Sequence, residues 1–546
     1  MKDFFKQFVL SHWPSYVLII GYAVYWLELI WVNPGNAHTS PIASILAGGL
    51  LLCSFLSQKG ELLHRSREYR LFLKNQSVFY QFFIILGLIL IGVILTISLK
   101  ASLLPPYLKQ ETDALNYHMM LPRQHLLMGS FAHIPWSMAD LYFIPLDYAL
   151  APYWLATPLL NKVPQFFFFL GLVVICCRIG EKLSKKTLLS RIFVLFALFG
   201  THMLVIQLGT AMMDIVMTYV FFAAIDSYLH KRYRLSAIEF VFFLWSKSFI
   251  PLQLGIIAVA MLVLRFAAKK YFAVNKYSWL SSVDSWSRKQ REQYKKSCLR
   301  FIGWVCIGSL CIGGPFIIKS LNYASTPLFP FFTGMIKINK KIDETSLSWK
   351  SLVRQSDKAL NVRNQYGSGR EVQDFISHLW LIAVPEKGVN NRYDYPVGLV
   401  YLLCLLPFVV SFYQSWRNKI FTIGGSFVLF FWAAWWLGSH QTRFLFIPVI
   451  LMILIVMTQN RFQRGSMLVC LILALCLSTV SMVRAHKRAF LQWGHEVLRE
   501  KDKLSIQQCA DREDNQPIVL NDGDAPYAPC LIDVNNSDSV LIIQYK

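Results

Sequence analysis

Apolar stretches of near-spanning length recur along the whole chain, separated by shorter polar links. Each needs ~17–25 residues to cross a bilayer whose hydrocarbon core is ~30 Å thick. The first, Ser15 to Val32, carries Tyr, Trp and Glu28 and has no small-residue cleavage site, so it reads as a retained span and not as a removed signal peptide. A link at 33–40 leads to a second run ending near Gln58, then to a basic loop. A third, Phe79 to Leu99, crosses outward in this reading, which makes 100–162 an outer loop, too polar and proline-rich to span. The fourth, Val163 to Cys177, returns to a basic loop, and runs at 191–207 and 211–229 form a hairpin. The stretch from Ser236 to Phe266 fits one bent helix or two short ones meeting at Pro251. A single span would put the basic run from Arg265 to Arg300 outside, so two are expected, with Lys247 near the outer tip. A ninth, Phe301 to Ile318, precedes a long outer loop, 319–395. Runs near 396–415, 420–437, 443–458 and 466–482 bring the expectation to thirteen.

The expected architecture is an all-α polytopic membrane domain over 1–482, followed by a small extracytoplasmic tail, 483–546. The N-terminus is expected in the cytoplasm and the C-terminus outside, in a plasma or inner membrane. Composition agrees. Of 546 residues, 55% are hydrophobic and 16% charged, against about 25% charged in soluble domains, so an ordinary soluble enzyme is excluded. The net charge of +23 raises the question of nucleic acid. However, the basic residues fall in clusters on alternate loops: Lys59, Arg65, Arg67, Arg70 and Lys74; Lys182, Lys185, Lys186 and Arg191; Lys231, Arg232 and Arg234; then 265–300. That is the positive-inside pattern of a membrane protein, so no nucleic-acid partner is expected. Of the 11 cysteines, Cys509 and Cys530 alone fall in outer segments. A disulfide between them is expected, with two free thiols as the alternative.

Candidate chemistry gathers on the outer side. The first outer loop holds Glu111, Asp113, Asn116, Tyr117, His118, Pro122 and Arg123. A carboxylate just beyond a membrane helix, flanked by aromatics and a His, is half-dry, and its pKa rises toward the range of a general base. A solvated acid capping a short helix is the plainer alternative. Asp214 lies near the outer end of an apolar run, where burying it costs ~2.5–3.5 kcal/mol, so it needs a functional or pairing reason. A structural pair with Lys247 would be such a reason. Lys319 follows span nine, ahead of Thr326-Pro327 and Pro330-Phe331, and Arg443 starts span twelve within His440-Gln441-Thr442-Arg443-Phe444. Arg reads phosphate through a planar fork of donors. His118, His125 and His133 are spaced seven and eight apart, which is poor spacing for a zinc site.

Taken in order, these residues make a pattern. It runs Asp-x-x-x-Tyr-His-x-x-x-Pro in an outer loop, an Asp entering a returning helix, a Lys at a hairpin tip, Pro-x-x-x-Lys before Thr-Pro-x-x-Pro-Phe, and Gln-x-Arg-aromatic. The pattern resembles the GT-C superfamily of membrane glycosyltransferases, in the branch of protein mannosyltransferases and lipid A aminoarabinose transferases, over about residues 1–480. The resemblance implies a cell-envelope enzyme that moves a sugar from a polyprenyl-phosphate donor to a lipid, glycan or protein acceptor on the extracytoplasmic face, with inversion. It implies Asp113 as general base, Asp214 as a second catalytic acid that positions, and Lys247, Lys319, Arg443 and His118 as binders of the donor phosphate. No cofactor is implied, although many members place a second acid beside the first-loop Asp. Here that position is Ala114, which leaves the acceptor and a bound divalent metal open. Two other readings stand beside this one: an O-antigen polymerase or ligase using Arg and His between Arg354 and Arg392, and a transporter or flippase of lipid-linked glycans.

Overall fold

The structure, a computed structural model, describes residues 12–32, 40–103, 117–134, 138–156, 162–184, 187–271, 276–278, 288–333, 353, 357, 367, 371–383, 396–418, 420–438, 440–459, 462–463, 465–486, 518–521 and 541–544. Asp113, Cys509, Cys530 and the 354–356, 358–366 and 384–395 stretches of the second loop lie outside these residues.

In chain order the helices are α1 (Trp13–Leu27), α2 (Ile42–Lys74), α3 (Val78–Ser102), α4 (Met120–Met128), α5 (Pro145–Trp154) and α6 (Val163–Leu183). Next come α7 (Thr187–Gly200), α8 (His202–Ile206), α9 (Asp214–Leu229), α10 (Tyr233–Leu244), α11 (Ile250–Tyr271) and α12 (Arg288–Gly308). The last are α13 (Gly314–Ala324), α14 (Val372–Leu381), α15 (Leu399–Arg417), α16 (Ile423–Leu437), α17 (Phe446–Met457) and α18 (Gly465–Ala485). Among the described residues, extended chain is confined to two short parallel pairs: Lys276–Ser278 with Ile420–Thr422, and Ile518–Asn521 with Leu541–Gln544.

Among the described residues, seven helices are long and apolar enough to cross a membrane: Trp13–Val32, Val78–Ser102, Val163–Leu183, Ile250–Ala267, Lys296–Ala324, Leu399–Arg417 and Gly465–Ala485. Shorter apolar helices run over Ile42–Leu52, Leu188–Gly200, Ile423–Leu437 and Thr442–Met457. This is the make-up of a multi-pass membrane protein. Outward-facing side chains agree. On α11, Ile256, Val259, Leu262, Val263 and Phe266 are all exposed, as are Phe82, Ile85, Leu88 and Ile89 on α3. In water such continuous apolar faces would drive association; against lipid they are solvated. The centre is held by α9, buried from Asp214 to Phe222 without a break, and by α6.

Several boundaries differ from the sequence expectation. The basic stretch after Gln58 continues α2 to Lys74 and is no loop: its Leu, Glu, Arg and Lys residues are strong helix formers with no proline among them. The run at 191–207 breaks at Thr201, whose hydroxyl donates back to the Ala197 carbonyl (2.7 Å) and which ends one helix and opens the next. Between 236 and 266 there are two helices, as expected, but they part at 245–249; Pro251 sits in the first turn of α11, where its missing N–H costs nothing. The ninth run bends through a π-helical turn, Ser309–Gly313, that joins α12 to α13.

The segment 100–162, expected as a loop, departs most. Its helix α5 is buried along its full length and runs antiparallel to α1. Tyr153 Oη donates to the Val17 carbonyl (2.9 Å), Ala149 faces Gly21, and Tyr148 meets Tyr25 edge-on at 5.1 Å. A β-carbon at Gly21 would run into the Ala149 carbonyl oxygen, so only glycine permits this approach. Part of the polar, proline-rich loop is therefore packed beside a spanning helix.

Candidate functional site

The segment 138–154 carries two buried carboxylates, and each organises a cluster. Asp140 belongs to a single 3₁₀ turn, Met138–Leu141. Its Oδ1 accepts from Lys319 Nζ (2.5 Å) and lies 3.1 Å from His125 Nε2. Its Oδ2 accepts from His133 Nδ1 (2.9 Å) and from the Ile134 amide (2.7 Å). Lys319 Nζ also lies 2.9 Å from His125 Nε2 and 4.1 Å above the Phe131 ring, while Tyr148 Oη is 2.8 Å from His125 Nδ1. Burial would push the Asp140 carboxyl up, but the bonds from His125 and His133 and the charge of Lys319 outweigh it and hold it well below the usual range. Burial, helped by Lys319, lowers His125 and keeps it neutral against the pull of Asp140.

Seven residues on, Asp147 lies in the first turn of α5, opened by Pro145. Its Oδ1 accepts from His118 Nδ1 (2.9 Å), and its Oδ2 is buried with no hydrogen-bond partner among the described residues. Burial is the largest influence on this carboxyl and leaves it raised, although the charges of His118 and Lys247 oppose it. The same neighbourhood holds Asp214, at the start of α9, whose Oδ1 accepts from Lys247 Nζ (2.7 Å). Asp214 is buried, whereas Lys247 is partly open and lies 4.3 Å above the Phe444 ring. The Arg443 guanidinium is 5.4 Å from the centre of that ring and, like His118, acts electrostatically on Asp214. Asp147 in turn feels Lys247 and Asp214. Four parts of the chain thus bring His118, Asp147, Asp214, Lys247 and Arg443 together around a mixed charge.

Of the residues singled out from sequence, His118, Asp214, Lys247 and Arg443 come together here. Lys319 goes to the neighbouring cluster, joined to this one through the 140–147 turn, where the Phe143 amide donates to Ser248 Oγ (3.2 Å) beside Lys247. Asp113 is outside the described residues, five positions before His118, within about 18 Å of extended chain. The cysteines of the expected disulfide, Cys509 and Cys530, are also outside them. Sequence reasoning missed Asp140 and Asp147. For Asp147 a signal existed: Pro145-Leu-Asp147 is a helix start with an acid favoured by the N-terminal dipole. The three first-loop histidines do not converge on one point: His118 pairs with Asp147, while His125 and His133 both reach Asp140. Among the described residues no three His, Cys, Asp or Glu side chains are grouped to hold a metal ion.

A second polar network lies about 18 Å along α9 from Asp214, at 1.5 Å per residue. There His12 is wedged between two carboxylates, with Nε2 2.8 Å from Asp226 Oδ2 and Nδ1 2.9 Å from Glu239 Oε1. Both ring nitrogens donate to carboxylates, so the imidazole is a buried cation that ties the start of α1 to α9 and α10.

No family model, curated protein or solved structure matches this chain.

Proposed function

We propose that this protein is a membrane glycosyltransferase of the GT-C kind, with the thirteen spans and outer catalytic face read from its sequence. It moves a sugar from a polyprenyl-phosphate donor to a lipid, glycan or protein acceptor of the cell envelope, with inversion. The observation that carries this reading is the meeting of Asp214, Lys247, Arg443 and His118, drawn from separate parts of the chain. Inverting displacement needs a base on the acceptor and fixed positive charge at the departing phosphate. Lys247 and Arg443, both close to the Phe444 ring, supply the second without reorganising at the moment of reaction. Asp214 holds Lys247 and keeps the site from carrying unbalanced charge before the donor arrives. Asp113, five residues before His118 in the sequence, is assigned as the base on the motif that carries the resemblance.

The test is transfer from a radiolabelled polyprenyl-phosphate sugar by purified protein. Asp113→Asn should fold and bind donor yet lose transfer by 10²–10⁴-fold, the usual worth of a positioned base. Full transfer by that variant would remove the assignment. Movement of intact lipid-linked sugar between leaflets by the wild type would replace the transferase with a flippase.

A further inference from the structure

The contact between Asp147 and His118 carries a consequence for how a donor is held, and it rests on the reading just proposed. His118 is almost wholly buried, and its Nδ1 is committed to Asp147 Oδ1 at 2.9 Å. Among the described residues nothing bonds its Nε2, and nothing bonds Asp147 Oδ2, an atom shut away from solvent. Unpaired buried carboxylate oxygens are expensive, so this one marks a place where charge is meant to change. The charged groups that act on Asp147 beside His118 are Asp214 from α9 and Lys247 from the turn after α10, while Arg443, from the turn before α17, acts on Asp214. Around His118 the cations of Lys247 and Arg443 stand against the carboxyl groups of Asp147 and Asp214. An arriving phosphate ester adds one negative charge in a water-poor setting, where it is least costly if a proton comes with it.

We infer that Asp147 is a positioning residue that holds the Nδ1–H of His118 and turns Nε2 toward the donor phosphate, and that the pair takes up one proton as this anion binds. In the bound state Nε2–H donates to a phosphate oxygen, while the imidazolium is stabilised on its other side by Asp147. The logic is that of a carboxylate–histidine pair, in which the acid fixes the tautomer and supports the charged ring. Neither group forms a bond to the sugar. On departure of the phosphate the proton returns to water.

The experiment is calorimetric binding of a short prenyl methyl phosphodiester in micelles between pH 5.5 and 8, in two buffers of different ionisation enthalpy. The diester keeps its single charge throughout, so any proton taken up belongs to the protein. On the steep part of the curve the wild-type Kd should tighten about tenfold per pH unit, the slope of one linked proton. Asp147→Asn keeps an acceptor for Nδ1–H but not the charge, and should bind with that slope lost or moved down by more than one pH unit. His118→Gln places an amide near the Nε2 position and should bind with no pH dependence. Dimethyl phosphate, run in parallel, separates a lipid anion from a free one: it should bind far more weakly with the same proton uptake, and equal affinity would overturn the lipid assignment. Wild-type binding without proton uptake, or an Asp147→Asn curve that overlies the wild type, overturns the inference and leaves the transferase reading intact. Absence of diester binding at every pH by folded protein overturns both.

Discussion

Lys319 offers a clean separation between a residue that binds and one that holds the protein together. Its ammonium and the Asp140 carboxylate are both essentially without solvent contact. Stripping one partner from such a buried pair costs about 3–5 kcal/mol, because the survivor keeps its desolvation penalty. Lys319→Met should fall at the lower end, since Asp140 retains the His133 Nδ1–H, the Ile134 amide and His125. Asp140→Asn should fall at the upper end. Whichever way the amide turns, its NH₂ meets either His133 and Ile134 or Lys319 and His125, and the ammonium is left buried without a counter-charge. Equilibrium unfolding in mixed micelles measures both variants, and the double variant gives the coupling, expected between about 0.5 and 3 kcal/mol. Donor KM measured on the same preparations should change little for Lys319→Met once the folded fraction is accounted for. A Lys319→Met protein within about 0.5 kcal/mol of wild type but with a much raised donor KM would refute this reasoning and return Lys319 to the phosphate.

Three further outcomes are expected. His12→Ala strips the shared partner from Asp226 and Glu239, which among the described residues keep only Arg178 and His230 on one side and Ser15 on the other, and should cost about 3–5 kcal/mol; a thermal midpoint equal to wild type would contradict the buried-cation assignment. Gly21→Val forces α1 away from the Ala149 carbonyl and should destabilise by at least about 1–3 kcal/mol, read as lost folded yield by size-exclusion chromatography, whereas Gly92→Val, with open space around it, should not. For acid sensitivity the Asp140 cluster contributes one sign, opposite to that of the raised Asp147 and His12. Asp140 is held below its unfolded value and His125 is lowered too, so between folded and unfolded values the unfolded chain binds more protons and stability falls as pH drops. The His125 contribution is present above about pH 6.5 and is lost below it, and the Asp140 contribution is lost only at still lower pH, below about 3.9. Melting curves of wild type and His125→Gln between pH 4 and 7.5 check this: the wild-type midpoint should fall more on acidification, and two curves that move in parallel would oppose it.

Much of this molecule can be read from residue order, because lipid imposes a length and an apolarity on anything that crosses it. The spans at α1, α3, α6, α15 and α18 lie close to their apolar runs for that reason. Asp214 and Lys247 stood out because charge inside such runs is costly, and each turns out to satisfy the other. The breaks at Thr201 and at 245–249 were harder to place, since helix ends there are set by side-chain-to-backbone bonds and packing and not by a change in polarity. Asp140 and Asp147 were hidden for a different cause. Each lies among turn and loop residues where an acid looks ordinary, and only the folding of that loop back against α1 buries them beside Lys319 and His118. Their importance is long-range, and nothing local announces it.

The short helix α5 also bears on biogenesis. Ten residues that include a carboxylate are too few and too polar to partition into a bilayer from the translocon. This helix must therefore slot in after α1 and its neighbours have been inserted, with Gly21 as the notch that receives it. Completion of both acidic clusters is then a late event in maturation, and a nascent chain arrested before α6 would be membrane-integrated yet without Asp214, Lys247 and Lys319, the partners that complete them.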